Sequence, residues 1–371
     1  MRTYVRRELY AHTTAAREQL HAARVPGGRV RSAADLSKVR PITLAEAGDG
    51  SRFVVRPTRG ALLRSASPYM RARTAWASTW GRWPAFLKAI EPRYRPVHFF
   101  TADHVPVGAA AGDLVRLSRL GADWIKRVGI DGHDAVALVG GAGSGIEAWE
   151  LSGGTRRGGV SLAVVDEHAN AARHNATVLA GDANAVATAL ADGAWAGLRL
   201  ALVFGRSTDA VQAALTRARA TEQVALRRAW AVPGGRSVWF ECKGGAAQGW
   251  HTTPAAEHVE LDEDREALWT GLGWAGTVFL RLRTDVIVDA IDESACAACG
   301  HQGPRLFFGD GRASLARWLR DDARVADMRL TADGAEVLPV RAGANARLVS
   351  DARKAFPDQS VKVLTRKAWA A

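Results

Sequence analysis

The sequence predicts an α/β protein. A large N-terminal domain with mostly parallel sheets covered by helices carries an added β-rich segment, and a small C-terminal α+β domain follows. Three observations lead there. Between residues 129 and 220, short apolar runs alternate with helical patterns, as in a parallel sheet covered on both faces. After it, Val238–Phe240, Val259–Leu261 and Thr277–Arg283 read as β-rich structure. Last, Gly309-Asp-Gly-Arg312 reads as a hinge, so the domains are expected at 1–308 and 309–371.

In order along the chain, residues 1–24 read as an amphipathic helix, with Val5, Leu9, Ala16 and Leu20 near helical spacing. A short helix follows Arg31 and ends before a turn at Pro41. Residues 69–95 interleave arginines with Trp76, Trp80 and Trp83, either as a single-strand binding surface or as a helix turning its tryptophans inward. Asp113 starts a helix whose Leu114, Leu117, Trp124, Ile125 and Val128 share one face, and Gly129 stops it. Asp134–Val139, Val160–Val165 and Leu198–Phe204 are expected strands. Gly145–Leu151, Ala169–Leu179, Ala185–Ala191 and Thr208–Ala220 are expected helices. Beyond the hinge come a helix at Leu315–Leu319, strands at Ala326–Leu330 and Glu336–Val340, a helix at Asn345–Phe356 and a strand at Val361–Leu364.

The 371 residues are 47% hydrophobic and 24% charged, ordinary globular values. No apolar run reaches the roughly 20 residues that span a bilayer. The N-terminus lacks the apolar core of a secretory signal, so the expected compartment is the cytoplasm. A net charge of +12 favours anionic ligands such as nucleotides or coenzyme A. No compact basic run or known motif points to nucleic acid, and no Gly-x-Ser-x-Gly elbow or H-E-x-x-H helix is present.

The three cysteines fall into a pattern that can hold a metal. Cys296 and Cys299 form Cys-Ala-Ala-Cys-Gly, and Cys242 precedes His251 by nine positions. A C-x2-C turn before glycine folds its N–H groups toward sulfur, so Cys242, His251, Cys296 and Cys299 are candidate ligands of a tetrahedral zinc ion. Four protein ligands leave no open position, which makes such a zinc structural. His301 and His258 are alternatives to His251, and three free thiols are the plain alternative to a metal.

A second motif, Val139-Gly-Gly-Ala-Gly-Ser-Gly145, follows a strand and opens a helix, with Asp166 closing the next strand. Such a turn lets backbone approach a phosphate or a methionyl-adenosine cofactor, giving a Rossmann-type alternative that uses S-adenosylmethionine or NAD. The same glycines also serve simply to pack a helix close to a sheet.

Three further segments carry a resemblance. Ser237-Val-Trp-Phe-Glu-Cys-Lys243, continued by Gly249-Trp-His251 and Glu257-His-Val-Glu260, resembles the "FEC…GLH…VE" segment of the phenylacetate–coenzyme A ligase branch of the adenylate-forming superfamily. Thr277-Val-Phe-Leu-Arg-Leu-Arg-Thr-Asp285 resembles its "R-Y-R-T-G-D" segment, and Cys296–Arg305 its cysteine-rich turn. The likeness runs over roughly residues 30–305 in the family's order. It implies ATP, AMP or coenzyme A as ligands, zinc at the cysteine/histidine set, and an acyl substrate activated through an adenylate. It places Asp285 at the ribose. It places the adenine-side turn at Gly205-Arg-Ser-Thr208, which makes Gly205, Ser207 and Thr208 candidate ligand contacts.

Other parts of that machinery are missing. Where the resemblance puts a Ser/Thr/Gly phosphate loop ending in lysine stands His98-Phe-Phe-Thr-Ala-Asp-His-Val-Pro-Val-Gly108, with Thr101 its one hydroxyl. The magnesium glutamate should fall near Trp230-Ala-Val-Pro-Gly-Gly235, which holds no acid, and Lys367 stands in no convincing catalytic context. The expected protein is therefore a degenerate relative that binds a nucleotide, acyl or coenzyme A-type ligand or a protein partner. An active ligase with an altered phosphate site, using arginines in place of the lost lysine, is the alternative.

Overall fold

The computed structural model describes residues 1–25, 30, 33–57, 72, 94–102, 104–140, 145–165, 175–192, 197–217, 223–308, 315, 319, 322–331, 334–340, 345–355, 360–365 and 368–369. The chain divides into two compact units. One comprises 1–259, 268–284 and 292–305, and the other 260–267, 285–291 and 306–371. The expected α/β class is the one adopted.

The first unit begins with helical turns that bury Val5, Leu9 and Leu20, as their spacing predicts. They do not form one helix. A π-helical turn covers Val5–Leu9, Thr13 is extended at φ −121°, and helix α1 spans Thr14–Ala22. Strands β1 (Pro96–Ala102) and β2 (Val105–Ala110) form an antiparallel hairpin. Helix α2 (Ala111–Val128) follows, and Gly129 ends it at φ +99°. The Oδ2 of Asp113 accepts from the N–H of Ala110, one of the donors a helix start leaves unpaired.

The central sheet runs β3 (Ala135–Val139), helix α3 (Ile146–Gly158), β4 (Ser161–Val165), β5 (Val178–Asp182), α4 (Ala183–Asp192), β6 (Leu200–Phe204), α5 (Asp209–Arg217) and β7 (Ala225–Ala231). The strand order β4-β3-β5-β6-β7 is parallel throughout. Strands β8 (Val238–Phe240) and β9 (Trp250–His251) then add antiparallel to β7. Helices α2 and α3 cross at glycines. A Cβ on Gly121 would lie 1.9 Å from the carbonyl oxygen of Glu150, and one on Gly154 2.5 Å from the backbone of Gly121.

Two expectations are corrected here. The helix expected over 169–179 gives way at its end to β5, a central strand (residues 166–174 lie outside the described set). Val178, Leu179 and Ala180 are fully buried on both faces, so they show none of the alternation that marks a half-exposed strand. In the stretch Thr277–Arg283, expected to be β-rich, Thr277 makes an isolated antiparallel bridge with Val54 and a strand starts at Leu282, where β12 (Leu282–Asp292) begins. Residues before it plug the core irregularly: the N–H of Val278 donates to Phe53, and the carbonyl of Phe279 accepts from Gly271. Strand β7 was not foreseen; its arginines disguise a chain that pairs with β6 and β8.

Strands β10 (Glu257–Leu261), β11 (Glu266–Gly271) and β13 (Arg305–Phe308) complete the middle of the sequence. In the second unit β14 (Val325–Thr331) pairs antiparallel with β15 (Gly334–Pro339), which pairs parallel with β16 (Ser360–Val363). Helix α6 (Asn345–Ala355) contributes Leu348 to a core with Leu315, Leu319, Ala335 and Val337. Among the described residues no helix is long and apolar enough to cross a membrane. The Gly309–Arg312 hinge lies outside the described residues.

Candidate functional site

Cys242, His251, Cys296 and Cys299 converge. Their ligand atoms all lie within 4.8 Å of one another, and all but Cys299 are buried. The Sγ atoms of Cys242 and Cys296 are 3.9 Å apart, and Nε2 of His251 is 3.4 Å from Sγ of Cys299. Ligands on a tetrahedron with Zn–S near 2.3 Å and Zn–N near 2.0 Å stand about 3.5–3.8 Å apart. The donor set and its spacing therefore fit zinc.

Each ligand is placed by a local cause. Cys242 follows β8 and His251 ends β9, and the pairing of Phe240 with His251 brings the two strands together. The intervening loop is closed by the N–H of Gly245 on the carbonyl of Cys242 and that of Gly249 on Ala246. The N–H of Gly244 points at the Cys242 sulfur, 3.4 Å away. In the C-x2-C turn the N–H of Gly300 donates to the Cys296 carbonyl at 2.8 Å. Gly300 adopts φ +69°, a conformation that side-chain-bearing residues rarely take. Phe240 stacks on the His251 ring at 5.2 Å and meets the His301 ring edge-on at 5.9 Å. Arg127, at the end of α2, ties the corner down: its guanidinium donates to the Cys299 carbonyl and its own carbonyl accepts from Lys243.

Electrostatics separates the ligands. Burial pushes the Cys242 thiol up to about 12. Burial also acts on Cys296, but the N–H groups of Cys299 and Ala298 outweigh it and hold that thiol below its usual range. Burial, helped by His301 and Arg305, drives His251 down to about 4, so its ring is neutral, the state in which imidazole binds metals. His301, the sequence alternative, spends Nε2 on the Thr252 carbonyl at 2.8 Å, and neither it nor His258 belongs to the four-residue cluster.

Parts of the first resembling segment also meet through Glu257. Its buried carboxylate accepts from the hydroxyl of Ser237, the indole N–H groups of Trp239 and Trp269, and the backbone N–H of Thr253. Burial raises its pKa despite these donors.

The other candidates are placed as follows. Gly205 takes φ +127° just after β6 and gives its N–H to Ala229. The Ser207 hydroxyl bonds the Asp209 carboxylate and receives the Asp209 N–H, and the Thr208 carbonyl takes the N–H of Gln212. Both therefore serve to start α5. Asp285 belongs to the second unit, at φ +55°, with its N–H on the Glu266 carboxylate. Residues 141–144, Asp166, Trp76, Trp80, Trp83 and Lys367 lie outside the described residues.

At the expected phosphate loop the chain forms the β1–β2 hairpin. Ala102 pairs directly with Val105, and His104 takes φ +70°. Phe100, Val105 and Val107 are buried. A pocket of about 230 Å³ lies against this hairpin, lined among others by Thr101, Gly145, Glu147, Ala231 and Gly234. The stretch expected to hold an acid thus meets one from elsewhere: Oε1 of Glu147 accepts from the Ala231 N–H at 2.8 Å. Burial raises the Glu147 pKa. Sequence reasoning passed over Glu147. Its signal was position, an acid in the first turn of a helix at the carboxyl end of a parallel strand, where open α/β sheets bind ligands.

No protein-family model matches the sequence, and no curated protein matches it. Solved structures do. An open conformation of 2-hydroxyisobutyryl-CoA ligase in complex with 2-HIB-AMP and CoA superposes with a TM-score of 0.60 at 12% identity, covering 98% of this chain and 85% of that one. The same ligase in its postadenylation state with R3-HIB-AMP gives 0.59 at 12% identity, covering 98% and 83%. Held in the thioesterification state with 2-HIB-AMP and CoA, it gives 0.58, with 98% and 84% covered. At such identity the likeness speaks for architecture: this chain has the fold of the adenylate-forming CoA ligases.

Proposed function

We infer that this protein is a divergent adenylate-forming, CoA-ligase-like protein that has lost most of the phosphate- and magnesium-binding machinery. It serves as a binding protein for a nucleotide, acyl or coenzyme A-type ligand or for a protein partner. One observation carries the reading. A tight hairpin with buried Phe100 and Val107 occupies the stretch where the resemblance puts a glycine-rich phosphate loop. Triphosphate binding needs several backbone N–H groups turned toward one point, with a cation beside them. In a hairpin the N–H groups are spent on the ladder or alternate outward. The Ser207 hydroxyl, already bonded to Asp209 within its own turn, points the same way.

Zinc belongs to this reading as a structural ion. Cys242, His251, Cys296 and Cys299 would hold it, and the ion would supply a cross-link between the β8–β9 loop and the C-x2-C turn. The phenylacetate–coenzyme A ligase branch is the proposed kinship, because the same segments carry both the motif resemblance and the cluster.

The test is a pyrophosphate-exchange assay with magnesium ATP across a panel of carboxylic acids, beside calorimetric titration with ATP and AMP. The expected result is exchange at background for every acid. Robust exchange with any acid overturns the reading.

A further inference from the structure

We propose that the pocket bounded by Phe100, Thr101, Ile146, Glu147, Ala231 and Val232 binds a small uncharged carbonyl compound, a short-chain amide or the acyl end of a short thioester, through the Glu147 carboxyl. This deepens the binding-protein reading and rests on it. The pocket measures about 230 Å³, below the roughly 300–1,000 Å³ of sites that enclose drug-sized ligands. A nucleoside triphosphate is too large for it.

Its chemistry selects further. Phe100, Ala102, Val107, Ile146, Val232 and Pro233 make the wall largely apolar. None of the described residues lining it is lysine or arginine. An anion there would shed its water with no cation to replace it. The one titratable side chain on the described wall is Glu147. Its carboxyl sits between Ala231, whose N–H it accepts, and Gly145, where a Cβ would stand 3.1 Å from Oε2. Burial favours the protonated form of this group. With Oε1 accepting from Ala231, the carboxyl in its protonated form can donate through its other oxygen to a ligand carbonyl. The Thr101 hydroxyl offers a second polar contact from β1. A neutral carbonyl with a short apolar tail satisfies every one of these features, whereas a carboxylate or a phosphate would meet the α3 N-terminus beside the Glu147 carboxyl with no cationic side chain among the described lining residues.

Ligand-observed NMR on the full chain tests this with four probes: butyramide, S-butyryl-N-acetylcysteamine, butyrate and magnesium ATP. The expected result is binding of butyramide or the thioester, with butyrate at least about tenfold weaker, as expected when an uncompensated charge is buried. Glu147→Gln keeps an acceptor for Ala231 and a donor for the ligand, so affinity should stay within about threefold, whereas Glu147→Ala should lose about tenfold. Thioester binding without amide binding identifies the acyl thioester as the source of the carbonyl; the reverse identifies a free amide. Equal binding of butyrate, unchanged binding by Glu147→Ala, or no binding by either carbonyl probe overturns the proposal. The wild-type amide-to-carboxylate ratio needs no variant and decides the matter if Glu147→Ala fails to fold. Magnesium ATP binding with pyrophosphate exchange would bring down the parent reading as well. Silence from all probes without exchange brings down this inference alone.

Discussion

The sulfur corner and the hairpin-side pocket stand in the same unit; the first lies in segments that carry the resemblance, the second beside a stretch that does not. The corner retains every donor: three thiols and an imidazole within 4.8 Å. The pocket has one hydroxyl, Thr101, on its described wall. The difference follows from how each site is made. A metal centre needs four side chains at four positions and tolerates wide change between them. A phosphate loop is made of backbone, and its function lies in a conformation that bulky residues such as Phe100 and Val105 remove at once.

If that contrast is right, the corner should be the costlier region to break. Cys242→Ala removes a fully buried ligand and leaves the metal three donors. The expected loss is about 3–5 kcal/mol with release of zinc, in the range reached when a bound metal or buried network is lost. Elemental analysis of purified protein should give one zinc per wild-type chain and markedly less in the variant. A strong chelator should lower the wild-type melting temperature and leave that of the variant nearly unchanged. Zinc-free wild-type protein of unaltered stability would sink the comparison.

Next in size stands the carboxylate that joins parts of the first resembling segment. Glu257→Ala takes a buried acceptor from Ser237, Trp239, Trp269 and the Thr253 N–H, of which Trp269 keeps the Ser237 hydroxyl at 3.3 Å. Buried donors left without partners cost about 1–3 kcal/mol each, so a loss of about 2–4 kcal/mol is expected in chemical denaturation. Glu257→Gln, which keeps one acceptor, should lose less. A variant Glu257→Ala as stable as wild type would show that these donors find other partners.

Gly121→Ala probes the same scaffold where no polar group is involved. The added methyl would meet the Glu150 carbonyl at 1.9 Å, a contact that requires α2 and α3 to part. Overpacking of this kind costs about 1–3 kcal/mol. Denaturant titration should show a lower midpoint with an unchanged slope.

The sequence revealed these two regions unequally. Cys242, His251, Cys296 and Cys299 were legible because soft donors are rare in this chain, three cysteines in 371 residues, and their spacing carries coordination geometry. The choice of His251 over His301 was not legible, since it turns on which imidazole spends Nε2 on a carbonyl. The alternating α/β core was legible except where burial on both faces erased the alternation, as at Val178–Asp182. That residues 98–108 lack the residues of a phosphate loop could be read from the sequence, but that they form a hairpin could not, because pairing of Ala102 with Val105 is a property of two strands together. Glu147 was hidden for a related reason: its partner Ala231 is 84 residues away.

The smallest expected effect lies in the pocket and has the opposite sign. Glu147 carries a raised folded pKa, with burial as the cause. For an acid this means that the folded state holds its proton more tightly than the unfolded chain, so the group costs nothing below the unfolded pKa and increasingly destabilises as pH rises above it. Glu150 and Glu257 are raised for the same reason, so these three carboxyls favour the fold on mild acidification, against His251 and His301, whose lowered values act the other way. Replacing Glu147 by Gln removes one share of that slope. The variant should melt at or slightly above the wild-type temperature at pH 7, and its advantage should shrink toward pH 4–5 as the unfolded wild-type chain takes up the same proton. A Glu147→Gln variant that melts lower than wild type at pH 7 would mean that the carboxylate form is stabilised in the fold. The pocket would then hold a compensating cation, and the contrast with the sulfur corner would rest on the hairpin alone.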